Sequence, residues 1–215
     1  MGPSRILIVD DHPLFREALR QALSGGGSDL EISEAGSLDS LIAQLTRHEG
    51  CDLVLLDLRM PGVQGFSGLI YLRTEYPNIP VVVVSANEES GVVRKSLDLG
   101  ASGFIPKSAD TRTIIEAVET ILQGGVWSPP GVGLETPIDA ETTDIANRVA
   151  TLTAQQIRVL MMLRTGLLNK QIAHELRISE ATVKAHVSAV LQKLGVASRT
   201  QAVIAANRLA NDFMA

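Results

Sequence analysis

The chain has 215 residues, 45% of them hydrophobic and 20% charged, and only one of them is a cysteine. That length accommodates one large domain or two ordinary ones with real cores. A lone cysteine excludes an intrachain disulfide and a cysteine-based metal cluster, and with no long apolar run in the sequence no membrane span is expected. No signal peptide is read at Met1-Gly2-Pro3-Ser4-Arg5, so a cytoplasmic protein is expected. The net charge of −5 is unevenly spread. Residues 1–127 hold 10 Lys+Arg against 17 Asp+Glu, a net of −7, and residues 128–149 hold one Arg against four acids, a net of −3. Residues 150–215 hold 8 Lys+Arg against 3 acids, a net of +5, so only the tail is suited to a polyanion.

Taken in order, Arg5-Ile6-Leu7-Ile8-Val9 is a β-branched run ending in Asp10-Asp11. His12-Pro13 starts a helix with Leu14, Phe15, Ala18, Leu19, Ala22 and Leu23 at helical spacing. Gly25-Gly26-Gly27-Ser28 is a turn, Leu30 to Ala35 alternates like a strand, and Ser37 caps a helix carrying Leu38, Leu41, Ile42 and Leu45. Cys51 to Leu56 is an apolar run of the kind a strand buried on both faces displays; it delivers Asp57 at its end and closes in the turn Met60-Pro61-Gly62. The Cys51 thiol is expected to be packed rather than reactive. A helix is expected over Gly65–Tyr76, a strand over Ile79–Val84 ending in Ser85-Ala86, and a helix from about Glu88 to Leu99. A short strand over Ala101–Lys107 follows, then a helix capped by Ser108 or Asp110 and running to about Leu122.

Five alternations of strand and helix imply a parallel sheet with helices on both faces, in which working groups collect beyond the carboxyl ends of the strands. Those ends carry Asp10, Asp11, Asp57, Ser85 and Lys107. Carboxylates held close repel one another, and a hard divalent cation such as Mg²⁺ relieves that repulsion through oxygen ligands. A carboxylate, a metal and an ammonium together suit phosphoryl transfer. Asp57 is the expected nucleophile, Asp10 and Asp11 the metal ligands, Lys107 the partner of the phosphoryl group and Ser85 a hydroxyl donor to it.

Trp127-Ser128-Pro129-Pro130-Gly131 opens a Pro/Gly-rich, aperiodic stretch read as a linker over residues 127–149. The tail reads as all helix. Thr153-Ala154-Gln155-Gln156 has capping-box form, Asn169 is expected to cap a short helix, Ser179 a longer one with Val183, Val187, Val190 and Leu194, and Ser198-Arg199-Thr200-Gln201 is a second capping box. Two helices joined by the tight turn Arg177-Ile178 form a helix-turn-helix.

Asp10-Asp11, Asp57-Leu58-Arg59-Met60-Pro61-Gly62, Ser85-Ala86 and Phe104-Ile105-Pro106-Lys107 resemble the receiver domain of two-component response regulators. Leu152-Thr153, Gly166 to Ala173, Ile178 to Val187 and Lys193-Leu194-Gly195-Val196 resemble the LuxR-type DNA-binding domain, and the pair is similar to the NarL/FixJ subfamily. The resemblance implies a flavodoxin-like, doubly wound five-stranded receiver over residues 1–126 and a four-helix helix-turn-helix domain over residues 150–215. It implies that Asp57 accepts a phosphoryl group from a sensor histidine kinase, with Mg²⁺ on Asp10 or Asp11, Asp57 and the Arg59 carbonyl. Ser85 and Phe104 would form the switch pair, with Phe104 turning inward behind Ser85. The expected partners are the kinase, double-stranded DNA, a second copy when phosphorylated, and RNA polymerase. DNA contacts fall on Lys170, Thr182, Lys184, Ala185, His186, Ser188, Lys193 and Arg199, with Lys184 first for base or phosphate, Lys170, Lys193 and Arg199 for phosphate, and half-buried packing the alternative for His186. Relatives commonly have Gly where Arg177 stands; a positive φ there costs Arg about 1 kcal/mol, so an altered turn is expected. A stand-alone aspartyl-phosphate hydrolase and a DNA-binding protein with a degenerate receiver are the rival readings; the tail and the intact rim argue against them.

Overall fold

Short runs of valine, isoleucine and leucine form the strands, because branched and apolar side chains suit a pleated surface covered on both sides. In the computed structural model they are β1 (Ser4–Val9), β2 (Leu30–Ala35), β3 (Leu53–Asp57), β6 (Val81–Ser85) and β7 (Gly103–Pro106), with a two-residue antiparallel ladder, β4 (Arg59–Met60) and β5 (Val63–Gln64), between β3 and α3. The helices are α1 (Pro13–Ser24), α2 (Leu38–Arg47), α3 (Ser67–Glu75), α4 (Ser90–Asp98) and α5 (Thr111–Leu122), then α6 (Ala154–Arg164), α7 (Asn169–Leu176), α8 (Glu180–Leu194) and α9 (Arg199–Asn211). The structure describes residues 2–27, 29–47, 50–60, 63–131, 145, 148–149 and 151–211. The expected turn at Pro61-Gly62 and most of the expected linker lie outside them. No helix among the described residues is long and apolar enough to cross a membrane.

The chain divides into two compact units, residues 1–136 and 137–215. In the first, the five long strands pair in parallel in the order β2-β1-β3-β6-β7, the flavodoxin-like arrangement. Side chains alternate across a strand. Ile6, Ile8, Leu53, Leu55, Val82, Val84 and Ile105 pack with Leu19 and Leu23 of α1 and Ile114, Ala117, Val118 and Ile121 of α5. The intervening Leu7, Val9, Val54, Leu56, Val83 and Phe104 are equally buried on the opposite face. Each such side chain contributes about 1.5–3 kcal/mol relative to staying exposed. The β3–β6 and β1–β3 registers set Asp57 opposite Val84 and Leu56 opposite Val9. Asp10 therefore emerges beside Asp57, and Ser85 one residue beyond it.

Asp110, not Ser108, caps α5: its Oδ1 accepts from Thr113 N at 2.8 Å, which holds the carboxyl below its usual range. The Ser108 hydroxyl donates to Glu88 instead. Trp127, read from sequence as the first linker residue, is hydrogen-bonded to the sheet edge: Phe104 N donates to Trp127 O (3.1 Å) and Trp127 N to Ser102 O (3.2 Å). Gly103 permits this approach, since a Cβ there would stand 2.9 Å from Trp127 O.

In the second unit Val159, Leu163, Ile172, Ala173 and Val183 form the core. The capping box at Thr153 is complete, with Gln156 N donating to Thr153 Oγ1 (3.4 Å) and Thr153 N to Gln156 Oε1 (3.0 Å). In the second box Gln201 N donates to Ser198 Oγ (3.2 Å), while the Gln201 side chain accepts from Ala197 N (2.8 Å). Asn169 is not a cap: Leu168 holds that position, and Gln171 Oε1 accepts from its N–H at 2.7 Å. Arg177 keeps the left-handed conformation, φ 54° and ψ 41°, so the turn is not altered as expected. Its N–H and that of Ile178 bond back to His174 O and Ala173 O, a Schellman motif that satisfies the end of α7.

Candidate functional site

The rim is built from two buried carboxylates and one ammonium. Asp10 and Asp57 are 1% and 3% exposed. Lys107 Nζ lies 2.6 Å from Asp10 Oδ2 and 2.8 Å from Asp57 Oδ2, and the Lys107 N–H donates to Ser85 O at 2.8 Å, which anchors the loop after β7. Two anions and one cation leave a net negative site in a low-dielectric setting. Burial pushes the Asp57 carboxyl up, Lys107 pulls it down, and the charge of Asp10 raises it again; the net direction is upward. Burial acts to lower the Lys107 ammonium, but its bonds to Asp10 and Asp57 outweigh that and raise it.

Asp57 Oδ1 accepts from Arg59 N at 3.2 Å, so the hairpin after β3 wraps the carboxylate. Ser85 is 2% exposed, and its Oγ accepts from Asn87 N at 3.1 Å. Phe104 is fully buried in β7, opposite Val83. Asp11 stands at the mouth with its side chain 30% exposed.

Three further residues join the site. His12 Nδ1 lies 3.1 Å from Asp10 Oδ1 and 2.9 Å from Asp11 Oδ1. Lys107 Nζ sits 4.6 Å from the centre of the Phe15 ring, a cation–π contact. Arg16 Nη1 donates to Asp10 O at 2.6 Å while its Nε donates to Glu34 Oε2 at 2.9 Å. All three belong to the start of α1. Their signal in the sequence was Pro13, which starts a helix immediately after the acidic pair and aims its first turn at the rim.

The donor set fits a hard divalent cation. Ligand atoms of Asp10, Asp11, His12 and Asp57 lie within 4.8 Å of one another. Asp10 Oδ2 is buried and held by Lys107 Nζ at 2.6 Å, and the buried Asp11 Oδ1 faces His12 Nδ1 at 2.9 Å, so these oxygens meet one nitrogen each and keep lone pairs for a further partner. Clustered carboxylate oxygens with lone pairs to spare suit an oxygen-seeking cation.

In the second unit α8 turns Val183, Val190 and Leu194 inward. Lys184, Ala185 and Ser188 share the opposite face and are exposed, as are Thr182 at the edge and Lys170 on α7. His186 is half-buried. Lys184 Nζ is 3.4 Å from Glu180 Oε1, an exposed pair one turn apart. Lys193 and Arg199 are placed differently. Lys193 Nζ donates to Thr151 O (2.7 Å) and Gln156 Oε1 (3.0 Å), and Arg199 donates to Leu167 O and to Asn169 Oδ1 (3.4 Å). Both side chains fasten the bundle, Lys193 from an exposed position and Arg199 from a half-buried one.

The family described as "Response regulator receiver domain" matches residues 6–119, and that described as "Bacterial regulatory proteins, luxR family" matches residues 150–206. The chain is 44% identical to the glycerol metabolism activator of Pseudomonas putida over 217 residues, covering 98% of this chain and 97% of that one. It is 34% identical to the nitrate/nitrite response regulator protein NarP of Escherichia coli K12, covering 94% of each. Among solved structures, the RcsB response regulator of Salmonella typhimurium shares the fold, with a TM-score of 0.58 and 22% identity over 94% of this chain and 97% of that one. A parallel sheet whose rim gathers Asp10, Asp57 and Lys107, joined to a helix-turn-helix with an exposed polar face, agrees with these matches, and the chain belongs to the two-component response regulators that couple a receiver to a LuxR-type DNA-binding domain.

Proposed function

We propose that Asp57 is the phosphoacceptor and that its modification controls sequence-specific DNA binding by the tail. The observation that carries this reading is Lys107 Nζ held between Asp10 and Asp57 at 2.6 and 2.8 Å. An oxygen of the Asp57 carboxylate attacks the phosphorus of a kinase phosphohistidine. The new O–P bond forms as the P–N bond breaks, and the imidazole leaves with the electron pair and takes a proton from water. A Mg²⁺ ion held by Asp10 or Asp11, Asp57 and the Arg59 carbonyl would neutralise charge on the phosphoryl oxygens. Lys107 turns from Asp57 toward the phosphoryl group, and the Ser85 hydroxyl exchanges its bond from Asn87 N for one to a phosphoryl oxygen. Phe104 occupies the space behind Ser85, and the pair biases the face formed by α4, β7 and α5. A phosphoryl group shifts that equilibrium only by contacts it makes better in one state than in the other.

We divide the chain into a receiver over 1–126, a linker over 127–149 whose first residue, Trp127, is bonded to the receiver's sheet edge, and a DNA-binding domain over 150–215; the matches over residues 6–119 and 150–206 support this reading. Thr182, Lys184, Ala185, His186 and Ser188 meet the major groove, and Lys170 meets phosphate. Lys193 and Arg199 brace that surface through bonds within the second unit. The protein acts in the cytoplasm as a phosphorylation-dependent dimer that addresses RNA polymerase, without catalytic turnover beyond self-phosphorylation and self-dephosphorylation. Structures of RcsB dimers bound to DNA support the dimeric, DNA-bound part by kinship of fold.

The test is to incubate the full chain with Mg²⁺ and acetyl phosphate and look for a hydroxylamine-labile phosphoryl adduct. The native chain should form it and Asp57→Ala should not. An equal adduct on Asp57→Ala would refute the assignment.

A further inference from the structure

We propose that His12 is a nitrogen donor to the divalent cation of the acidic rim and shifts the site's preference from magnesium toward imidazole-accepting ions such as cobalt(II). The inference rests on the reading of Asp10, Asp11 and Asp57 as a metal site. Neither the three-carboxylate pattern nor the Arg59 carbonyl involves this side chain.

The spacing supports it. Ligand atoms about 2.1 Å from one octahedral ion stand about 3.0 Å apart when adjacent and about 4.2 Å when opposite. His12 Nδ1 is 2.9 Å from Asp11 Oδ1 and 3.1 Å from Asp10 Oδ1, the separations of adjacent ligands. The whole group of Asp10, Asp11, His12 and Asp57 falls within 4.8 Å, a small relaxation from a common shell. Lys107 takes the other side, Asp10 Oδ2 and Asp57 Oδ2, so ammonium and imidazole do not compete for the same Asp10 oxygen.

The backbone holds the imidazole there. His12 N donates to Asp10 Oδ1 at 2.8 Å, which folds the chain back on the carboxylate. Pro13 follows, and a residue before proline is restricted to extended conformations; His12 has φ −91° and ψ 104°. His12 also stands at the N-cap of α1, where Ser, Thr, Asp or Asn usually accepts a backbone N–H. It makes no such bond and points its ring at the carboxylates. Its side chain is 66% exposed, so a hydrated ion reaches it from solvent, with the buried Asp10 carboxylate behind it. An imidazole nitrogen favours later first-row ions over magnesium, which prefers oxygen.

The experiment uses the full chain and manganese(II) as a paramagnetic probe. Binding is read first from loss of the free-ion resonance, then electron spin-echo envelope modulation is recorded on the bound ion. The native chain should give the nitrogen modulation of a coordinated imidazole. His12→Asn, which keeps a residue suited to the N-cap, should bind manganese without it, and His174→Ala should retain it. By competition dialysis, the preference for cobalt(II) over magnesium should fall at least about tenfold in His12→Asn, the lower end of what even an outer-shell partner costs. An imidazole that only donates a hydrogen bond to the two carboxylates would leave bound manganese free of nitrogen modulation. That result, or modulation persisting in His12→Asn, overturns the proposal. Manganese that fails to bind, or binds equally well to the Asp10→Asn/Asp57→Asn double variant, overturns the metal-site reading itself.

Discussion

The rim of the first unit and the exposed face of α8 in the second are both built from charged and polar side chains, yet they are held in opposite ways. At the rim the charges partner one another: Asp10 and Asp57 are buried, and Lys107 is their shared counter-ion. On α8 the proposed DNA-facing residues other than half-buried His186 stand in solvent, and Lys184 has a 3.4 Å neighbour in Glu180. A rim of this kind is a strained electrostatic arrangement kept in place by the apolar sheet beneath it. A helix face of this kind stores almost nothing until a polyanion arrives.

The largest effect should come from removing that foundation. Leu55→Ala, at a 1% exposed position on β3, should destabilise the first unit by about 2–5 kcal/mol, read as a lower urea midpoint. A loss below about 1 kcal/mol would show that the sheet relaxes around the gap, and the contrast with the helix face would weaken.

Next come two lysines on α8 that exposure alone does not separate. Lys184→Ala should weaken duplex DNA binding about tenfold and reduce the salt slope by about one ion. Lys193→Ala should leave the salt slope unchanged and lower the stability of the second unit by about 1 kcal/mol, through loss of its bonds to Thr151 and Gln156. The reverse outcome would exchange their roles.

The electrostatic strain has a predicted sign. Burial and the charge of Asp10 raise the folded Asp57 pKa above its ordinary value. Between those two pKa values the folded state binds more protons than the unfolded state, so this carboxyl contributes less to stability as pH rises through the window. Asp57→Asn should therefore be the more stable at pH 7, read as a higher urea midpoint, and the advantage should shrink toward zero below the ordinary carboxylate pKa. A native chain as stable as the amide variant at pH 7 would mean Lys107 has fully compensated the site.

The smallest effect concerns the two helix ends of the second unit. Both α7 and α8 close in Schellman motifs, one on Arg177 at φ 54° and one on Gly195 at φ 67°. Arg177→Gly should add about 0.5–1 kcal/mol, the left-handed cost less the extra freedom of glycine in the unfolded chain.

The rim was legible in the sequence because sheet register is. Once five strands alternate with helices, residues at the carboxyl ends are adjacent by topology, and Asp10, Asp57, Ser85 and Lys107 arrive together. His12, Phe15 and Arg16 were not, because their part depends on the tilt of the first turn of α1 over the rim, which periodicity does not encode. Trp127 was misjudged for a related reason: Pro/Gly content marks irregular chain but says nothing about whether a sheet edge recruits it. In the tail, core positions followed the helical repeat. Lys193 and Arg199 were read as phosphate contacts; Lys193 is exposed, and both side chains also bond oxygens within the second unit, which long basic side chains can do while staying at the surface.

Those inward bonds have a mechanical side. Arg148 Nη1 donates to Leu194 O at 3.0 Å, and Lys193 reaches back to Thr151. Arg148 and Thr151, which precede α6, are thus tied to the C-terminal end of α8, so that end is clamped to the start of the bundle while the exposed face at its other end stays free of the clamp.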